Sequence, residues 1–214
     1  DYGRGAPGQE TSTLCAKVAL LVTEDWFVLS HFRPLIAVLR EIAGEVVVIT
    51  RSSGRAGEIE ALGARVVAFD YQRASSNPAE QAKSAWALSR VLAAEKPDVV
   101  HLIAMKPIVL GGLALKLAPA GHAIVHMTGL GLLGIATAPL LRLYRAAALR
   151  VVASVLRKPT SFLLVENPDD LSLLRAAGAD PGARVAVLGG AGVDPQAFPA
   201  LTPPRNEVPV AAFV

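Results

Sequence analysis

The chain has 214 residues, of which 52% are hydrophobic and 18% are charged, enough to bury the core of one domain of ordinary size. Its formal charge of +3 is modest, and we expect no nucleic-acid partner. The single cysteine, Cys15, excludes an internal disulfide and fits a reducing compartment.

The chain begins with a polar, glycine-rich stretch at residues 1–14, which we expect to be a disordered lead-in without a secretory signal. A first strand is predicted over residues 16–23. The first helix is predicted over residues 33–43, where apolar residues recur at helical spacing. The loop expected between them is unusual because it contains Trp26 and Phe27. Its apolar side chains either pack under the helix or face a ligand or partner surface.

The rest of the chain alternates between strands and helices. Further strands are predicted at residues 45–50, 65–70, 98–103, 123–127, 160–165 and 184–188. Asn77 and Asn167, each followed by proline, mark the starts of two of the helices. This alternation predicts an α/β fold, a Rossmann-like parallel sheet flanked by helices, with its first five strands in the order 3-2-1-4-5.

A glycine motif follows the predicted fifth strand. Gly129, Gly131 and Gly134 have the spacing of a dinucleotide-binding fingerprint. That fingerprint belongs to the first strand–helix turn and needs an acidic residue about 20 positions further on to hold the ribose. The chain has no Asp or Glu between residues 101 and 165. We therefore interpret this loop as part of a ligand site without a dinucleotide.

A basic amphipathic helix is predicted over residues 139–156. At 100° per residue, its arginines fall within one arc of the helix surface, and an arginine just after the helix extends this arc. These residues are Arg142, Arg145, Arg150 and Arg157. The window from residue 101 to residue 165 carries seven positive and no negative side chains. This face is either solvated or attracted to anionic lipid or phosphate. The apolar run at residues 124–141 has a marginal length for a membrane span and contains His126, Thr128, three glycines and Pro139, so we interpret it as a strand followed by a loop.

Five motifs occur in a recognisable order. They are residues 26–35 (WFVLSHFRPL), 106–107 (KP) with 111–114 (GGLA), 128–131 (TGLG), 166–170 (ENPDD) and 192–198 (GVDPQAF). Together they resemble the N-terminal half of family-4 (group 1) glycosyltransferases of the GT-B fold. Within that family the chain is most similar to bacterial enzymes that glycosylate polyprenyl-diphosphate-linked acceptors during surface-polysaccharide assembly. Glu166 stands where a glutamine is usual.

The resemblance implies a two-domain enzyme in which residues 15–198 form the acceptor-binding domain. Residues 199–214 would be a linker and the first strand of a C-terminal domain that holds the nucleotide-sugar donor and the catalytic carboxylates. The chain alone is then expected to fold but not to transfer sugar. The nucleotide-sugar is a substrate, and no cofactor or metal site is expected. A lipid-linked acceptor implies a cytoplasmic protein held peripherally at the inner face of the membrane.

A transferase of this kind must hold a hydroxyl nucleophile and neutralise a diphosphate. The acceptor-binding candidates are His31, Arg33, Lys106, His126, Thr128, Gly129, Gly131, Glu166 and Asn167. The membrane-facing candidates are Trp26, Phe27, Arg142, Arg145, Arg150 and Arg157. His101 and His122 are interpreted as structural. Lys106, His31 and the loop at residues 128–131 are expected to converge on one cleft, since they follow the fourth, first and fifth strands.

Two other functions remain open at this point. A sugar-nucleotide epimerase of the same two-domain architecture would keep most of the pattern, but it would leave the basic helix unexplained. A non-enzymatic ligand-binding module is the other alternative, and the apolar strand predicted at residues 210–214 argues against it.

Overall fold

The computed structural model describes residues 14–71, 77–129 and 138–190, together with residues 192 and 196. The strands in these ranges are β1 (Cys15–Glu24), β2 (Ala43–Arg51), β3 (Arg65–Ala68), β4 (Val99–Ile103), β5 (His122–Met127), β6 (Ser161–Val165) and β7 (Val185–Val187). The helices are α1 (Asp25–His31), α2 (Arg33–Ile42), α3 (Ala56–Ala61), α4 (Pro78–Glu95), α5 (Met105–Ala114), α6 (Pro139–Leu156) and α7 (Pro168–Ala176).

The described strands form one sheet in the order β3-β2-β1-β4-β5-β6-β7, and every pairing is parallel. The predicted α/β class, the Rossmann-like sheet and the order of the first five strands are confirmed. β1 pairs with β2 on one side and with β4 on the other. After β1, the chain adds β2 and β3 on one side and then returns to add β4 on the other side. The switch point therefore lies between β1 and β4, and ligands bind at such points in folds of this kind.

Helices cover the sheet on both faces. On one face, Leu20 and Val48 pack with Ile36 of α2 and Ile59 of α3. On the other face, buried residues of the strands pack against α4, α5, α6 and α7, through residues that include Leu88, Leu110, Val152 and Leu174. Successive strand residues point to opposite faces, so a strand covered on both faces is apolar throughout. The strands are continuous apolar runs in the sequence because helices cover both faces of the sheet.

The segment predicted as a loop at residues 24–31 is instead the last residue of β1 followed by α1. Val28 and Leu29 are buried, which confirms that its aliphatic residues pack into the core. The prediction of a loop was wrong, and the segment begins with two adjacent acidic residues, Glu24 and Asp25. Both are buried, at 2% and 0% exposure, and each has partners on a distant segment.

Those partners lie at the last residue of β2 and in the loop that follows it. Glu24 accepts hydrogen bonds from Arg51 at 2.9 and 3.1 Å. Asp25 accepts from the backbone N–H of Ser53 at 2.6 Å, from the Ser53 hydroxyl at 2.7 Å and from the N–H of Arg55 at 3.1 Å. Burial raises the pKa of Asp25, but the hydrogen bonds from Ser53, Arg55 and Trp26 outweigh it and leave the pKa below its ordinary value. These bonds join the start of α1 to the loop before α3.

Most predicted helix boundaries are confirmed. Asn77 accepts a hydrogen bond from the N–H of Ala79 at 3.0 Å and begins α4, and α6 has the predicted bounds. α5 ends at Ala114, and the residues that follow it at 115–117 form a turn. β3 and β7 are shorter than predicted. The lead-in at residues 1–13, Gly131 and the linker at residues 199–214 lie outside the described residues.

Candidate functional site

A cavity of about 150 Å³ opens beside the carboxyl ends of β5 and β6, against the α1–α2 connection. Three of the predicted acceptor-binding residues line it: His31 from the end of α1, His126 from β5 and Glu166 from the residue after β6. Its other walls are Phe32, Pro34, Leu35, His101, Leu164, Leu188 and Gly190. The mixture of apolar walls and a few converging polar groups is typical of a small-molecule site.

His126 is the most deeply placed of the three residues. Its side chain is buried, at 6% exposure, and the edge of the Phe32 ring packs against it with centroids 5.8 Å apart. Burial lowers its pKa, so the imidazole is neutral at neutral pH. The Nε2 atom has no hydrogen-bond partner among the described residues. Because a buried polar atom without a partner is costly, this nitrogen is a group that a ligand or water could satisfy.

Glu166 faces the same nitrogen. Its Oε1 lies 3.8 Å from Nε2 of His126, which is too long for a hydrogen bond. Burial raises the pKa of Glu166, the nearby His31 opposes that shift, and Asp170 adds to it. An oxygen placed about 2.8 Å from both groups could accept a hydrogen bond from His126 and donate one to Glu166. A hydroxyl group has this donor and acceptor capacity.

His31 lies at the entrance, on the last turn of α1. Its Nδ1 is 2.7 Å from the hydroxyl of Ser30, and its ring packs against Phe27 with centroids 4.6 Å apart. The Phe27 ring also contacts Phe32 edge-on at 5.4 Å. This aromatic packing restrains the rotamer of His31 and leaves its side chain exposed to an incoming ligand.

The start of α5 and the loop after β5 follow the two strands that supply His101 and His126 to the cavity. The N–H of Ala104, the residue before α5, donates to the carbonyl oxygen of His126 at 3.0 Å. The first turn of α5, which contains Lys106, therefore starts beside the end of β5. Thr128 and Gly129 follow β5 directly, and Gly129 has a φ of 119°, which favours glycine. The strand order places the segments that follow β1, β4 and β5 at one edge of the sheet. Of His31, Lys106, Thr128 and Gly129, His31 lines the cavity, and convergence of all four on one cleft stays a prediction.

Two predicted residues use their side chains elsewhere. The Nε of Arg33 donates to the carbonyl of Leu29 at 2.7 Å, and its guanidinium lies 3.5 Å from Glu58 on α3. Asn167 caps α7, since its Oδ1 accepts from the N–H of Asp170 at 2.8 Å and its amide donates to the Asp170 carboxylate at 2.9 Å. The helix-start interpretation of Asn167 is confirmed, while a role of either residue in binding stays a prediction.

Ala104, between β4 and α5, has a strained backbone. Its φ of 69° and ψ of 162° fall in a region that is essentially restricted to glycine and that costs about 1–3 kcal/mol for other residues. Strain of this kind is concentrated at functional sites, and here it lies beside Lys106 and His126. The hydrogen bond from the N–H of Ala104 to the carbonyl oxygen of His126 holds this conformation in place.

We expect Ala104→Gly to raise the free energy of unfolding by about 1 kcal/mol, since relief of strain exceeds the added entropy of the unfolded chain. Urea unfolding followed by circular dichroism measures the change. Ala93→Gly is the matched control, because Ala93 is an exposed residue within α4. This substitution should lower the free energy of unfolding by about 1 kcal/mol. Equal destabilisation by both substitutions would contradict a strained Ala104.

The structure places the membrane-facing candidates in two groups on opposite faces of the sheet. Trp26 is 43% exposed, whereas Phe27 is half-buried in the aromatic packing described above. On α6, Arg142 and Arg150 are exposed, as is Arg157 just after it, and Arg145 is half-buried. Leu141 and Leu143, at 45% and 65% exposure, flank Arg142. Arg142 and Arg157 lie about 22 Å apart along the helix.

The described residues contain no helix that is long and apolar enough to cross a membrane. They also contain no group of three or more His, Cys, Asp or Glu residues that could hold a metal ion.

Two features that support the site were not predicted from the sequence. The first is the burial of Asp25, which was assigned to a loop. The second is the contact of His101 with His126, although His101 is the buried strand residue that was expected. A signal for the second was present, because His101 and His126 lie on neighbouring strands at positions that point to the same face, with Ile103 paired to His126 in the register. The signal becomes readable once the strand order and register are known.

Comparison with known families tests the resemblance. A family model described as "Glycosyl transferase 4-like" matches residues 17–158, well over half of the chain, and includes β1, β4 and β5, which carry the switch point. The chain belongs to the glycosyl transferase 4-like family.

A curated relative of this glycosyl transferase 4-like chain is N,N'-diacetylbacillosaminyl-diphospho-undecaprenol alpha-1,3-N-acetylgalactosaminyltransferase of Campylobacter jejuni. The two are 32% identical over 102 residues, which are 47% of this chain and 27% of the relative. The match therefore spans about a quarter of the relative's length.

Solved structures share the fold. HepE of Anabaena in complex with UDP-glucose has a TM-score of 0.55 at 16% identity, covering 84% of this chain and 45% of HepE. A glycosyltransferase from Rickettsia africae has a TM-score of 0.56 at 14% identity, with 88% and 47% covered. A UDP-GlcNAc 2-epimerase from Methanocaldococcus jannaschii has a TM-score of 0.55 at 16% identity, with 81% and 45% covered. The glycosyl transferase 4-like chain spans less than half of each, and the fold by itself does not separate transferase from epimerase.

Proposed function

We propose that the chain is the acceptor-binding half of a glycosyltransferase that moves a sugar from a nucleotide-sugar donor to a lipid-linked glycan acceptor. The observation that carries this proposal is the cavity beside the carboxyl ends of β5 and β6 in which His31, His126 and Glu166 converge. Membership of the glycosyl transferase 4-like family supports the reaction class. The Campylobacter relative, whose acceptor is named as a diphospho-undecaprenol sugar, supports the acceptor class.

The chemistry of the cavity suits an acceptor hydroxyl. Transfer requires that a hydroxyl oxygen be held in line with the anomeric carbon of the donor. The neutral imidazole of His126 and the carboxyl group of Glu166 offer one donor and one acceptor about a single oxygen, and His31 lies at the entrance. Lys106 and the amides of Thr128 and Gly129 are proposed to bind the diphosphate beside it. The donor site and the catalytic carboxylates are proposed to lie in a second domain, without a cofactor or metal.

We expect the chain to bind a short-chain isoprenyl diphosphate that carries an N-acetylhexosamine, and to lose at least about tenfold in affinity on His126→Phe, because the ring nitrogen is replaced by carbon in a closed space. Isothermal titration calorimetry measures the affinity. His122→Phe is the matched control, since His122 is an exposed residue at the opposite end of the same strand, and its affinity should equal that of the unchanged chain.

The same titrations distinguish the epimerase alternative. An epimerase half would bind a free UDP-sugar and would not bind the isoprenyl-linked sugar. Its affinity for the UDP-sugar would be reduced by His126→Phe. That pattern would refute the proposed acceptor. Equal binding of the acceptor analogue by the His126 and His122 variants would refute the cavity as the acceptor site.

A lipid-linked acceptor stays in the bilayer, so the proposed enzyme must reach the membrane surface. We propose a cytoplasmic protein that binds peripherally to the inner face of the membrane. The exposed arginines of the α6 region support this, because they form a stripe within one arc of the helix and the chain from residue 101 to residue 165 has no acidic residue to neutralise them.

A further inference from the structure

His101 lies beside His126 in the wall of the cavity. It lies on β4 and is 3% exposed, and its ring stacks on that of His126 with centroids 5.3 Å apart and an angle of 28°. Its Nε2 is 3.3 Å from Nδ1 of His126, at the long end of hydrogen-bond distances. His126 thus has His101 on one ring nitrogen and the cavity on the other.

The two rings share a single proton between these nitrogens. Burial, followed by the proximity of His126, lowers the pKa of His101 to about 3, and burial also lowers that of His126. Both rings are therefore neutral at neutral pH, and each carries one N–H. One of the two arrangements makes His126 a hydrogen-bond donor toward the cavity, and the other makes it an acceptor.

Glu166 decides between the two arrangements. Its carboxylate lies 3.8 Å from Nε2 of His126, and a carboxylate can only accept hydrogen bonds. A proton on Nε2 faces this negative group favourably, whereas a lone pair there would be repelled. With the proton of His126 on Nε2, its Nδ1 is an acceptor, and the bond to His101 requires a proton on Nε2 of His101.

We propose that His101 is a positioning residue that donates from Nε2 to Nδ1 of His126 and so holds His126 in the tautomer that presents Nε2–H to the cavity. The inference deepens the proposed function, on which it rests for the contact between His126 and the acceptor. This tautomer also restricts which ligand group can bind between the two side chains. A hydroxyl can accept a hydrogen bond from His126 and donate one to Glu166, whereas a phosphate oxygen has no proton to donate and would be repelled by the Glu166 carboxylate. This corner of the cavity takes a neutral sugar hydroxyl, and the diphosphate lies elsewhere.

Long-range nitrogen–proton NMR of the histidine-labelled chain at neutral pH tests the tautomers without any ligand. We expect the Nε2 of both His101 and His126 to be protonated and the Nδ1 of His126 to be unprotonated. A proton on Nδ1 of His126, or a mixture of tautomers in the unchanged chain, would overturn the proposal. This measurement is independent of the proposed function, because it does not require the acceptor to bind.

Two substitutions separate positioning from simple packing. His101→Gln keeps an N–H donor near the position of Nε2 and should preserve the single tautomer of His126, whereas His101→Met fills the space without a donor and should allow both tautomers. Affinity for the isoprenyl-linked N-acetylhexosamine should fall about fivefold in the Met variant and remain near that of the unchanged chain in the Gln variant. A Met variant with the original tautomer, or equal losses of affinity in both variants, would refute a role through the hydrogen bond.

Discussion

Replacing Asp25 with alanine is expected to lower the free energy of unfolding by about 3–4 kcal/mol, because the buried carboxylate satisfies several donors that no other group replaces. It accepts hydrogen bonds from the N–H groups of Trp26, Ser53 and Arg55 and from the Ser53 hydroxyl. Urea unfolding at neutral pH measures the change. The substitution should also loosen α1, which carries His31, and so weaken acceptor binding.

Glu60→Ala is the control for removal of a carboxylate nearby. Glu60 is an exposed residue of α3, and its loss should change stability by less than about 0.5 kcal/mol. Asp25 has a lowered pKa in the folded state, so its contribution is fully present above its unfolded-state pKa of about 3.9 and is lost as pH falls through the folded value. The difference between the unchanged chain and Asp25→Asn should therefore shrink only below about pH 4. A difference that is already lost at neutral pH would contradict this account.

Reversing the charge of the exposed arginines, with Arg142, Arg150 and Arg157 changed to Glu, is expected to weaken binding to anionic vesicles at least about 100-fold. Each basic residue near an anionic surface contributes about 1 kcal/mol, and reversal replaces attraction with repulsion. Arg145 is left unchanged because it is half-buried. Co-sedimentation with phosphatidylglycerol vesicles at low salt measures the effect, and rising salt should release the unchanged chain.

A charge-matched control separates the stripe from net charge. Lys83, Arg90 and Lys96 are exposed on or next to α4, and their change to Glu alters the formal charge by the same amount. This variant should retain most of the binding. Equal loss in both variants would show that overall charge drives sedimentation, and no binding by the unchanged chain at any salt concentration would return the α6 stripe to a solvated surface.

Local patterns predicted the elements well where the pattern depends on neighbouring residues. The bounds of α6 follow from Pro139 and helical periodicity, and the start of α4 follows from Asn77 and Pro78. The apolar runs predicted the strands because both faces of the sheet are covered. The order of the first five strands followed from the alternation of strands and helices. These features depend on interactions within a few residues or on general rules of chain connection.

The sequence by itself therefore determined the α/β class, the switch point and the resemblance that places His126, Lys106 and Glu166 at the carboxyl edge of the sheet. The tertiary structure decided which polar residues are buried and what each one contacts. Asp25 is stable at 0% exposure because donors about 28 residues further along the chain reach it. Likewise, His101 and His126 are 25 residues apart in the chain and meet through the register of β4 and β5. A buried polar group needs partners supplied through space, and no local pattern specifies them.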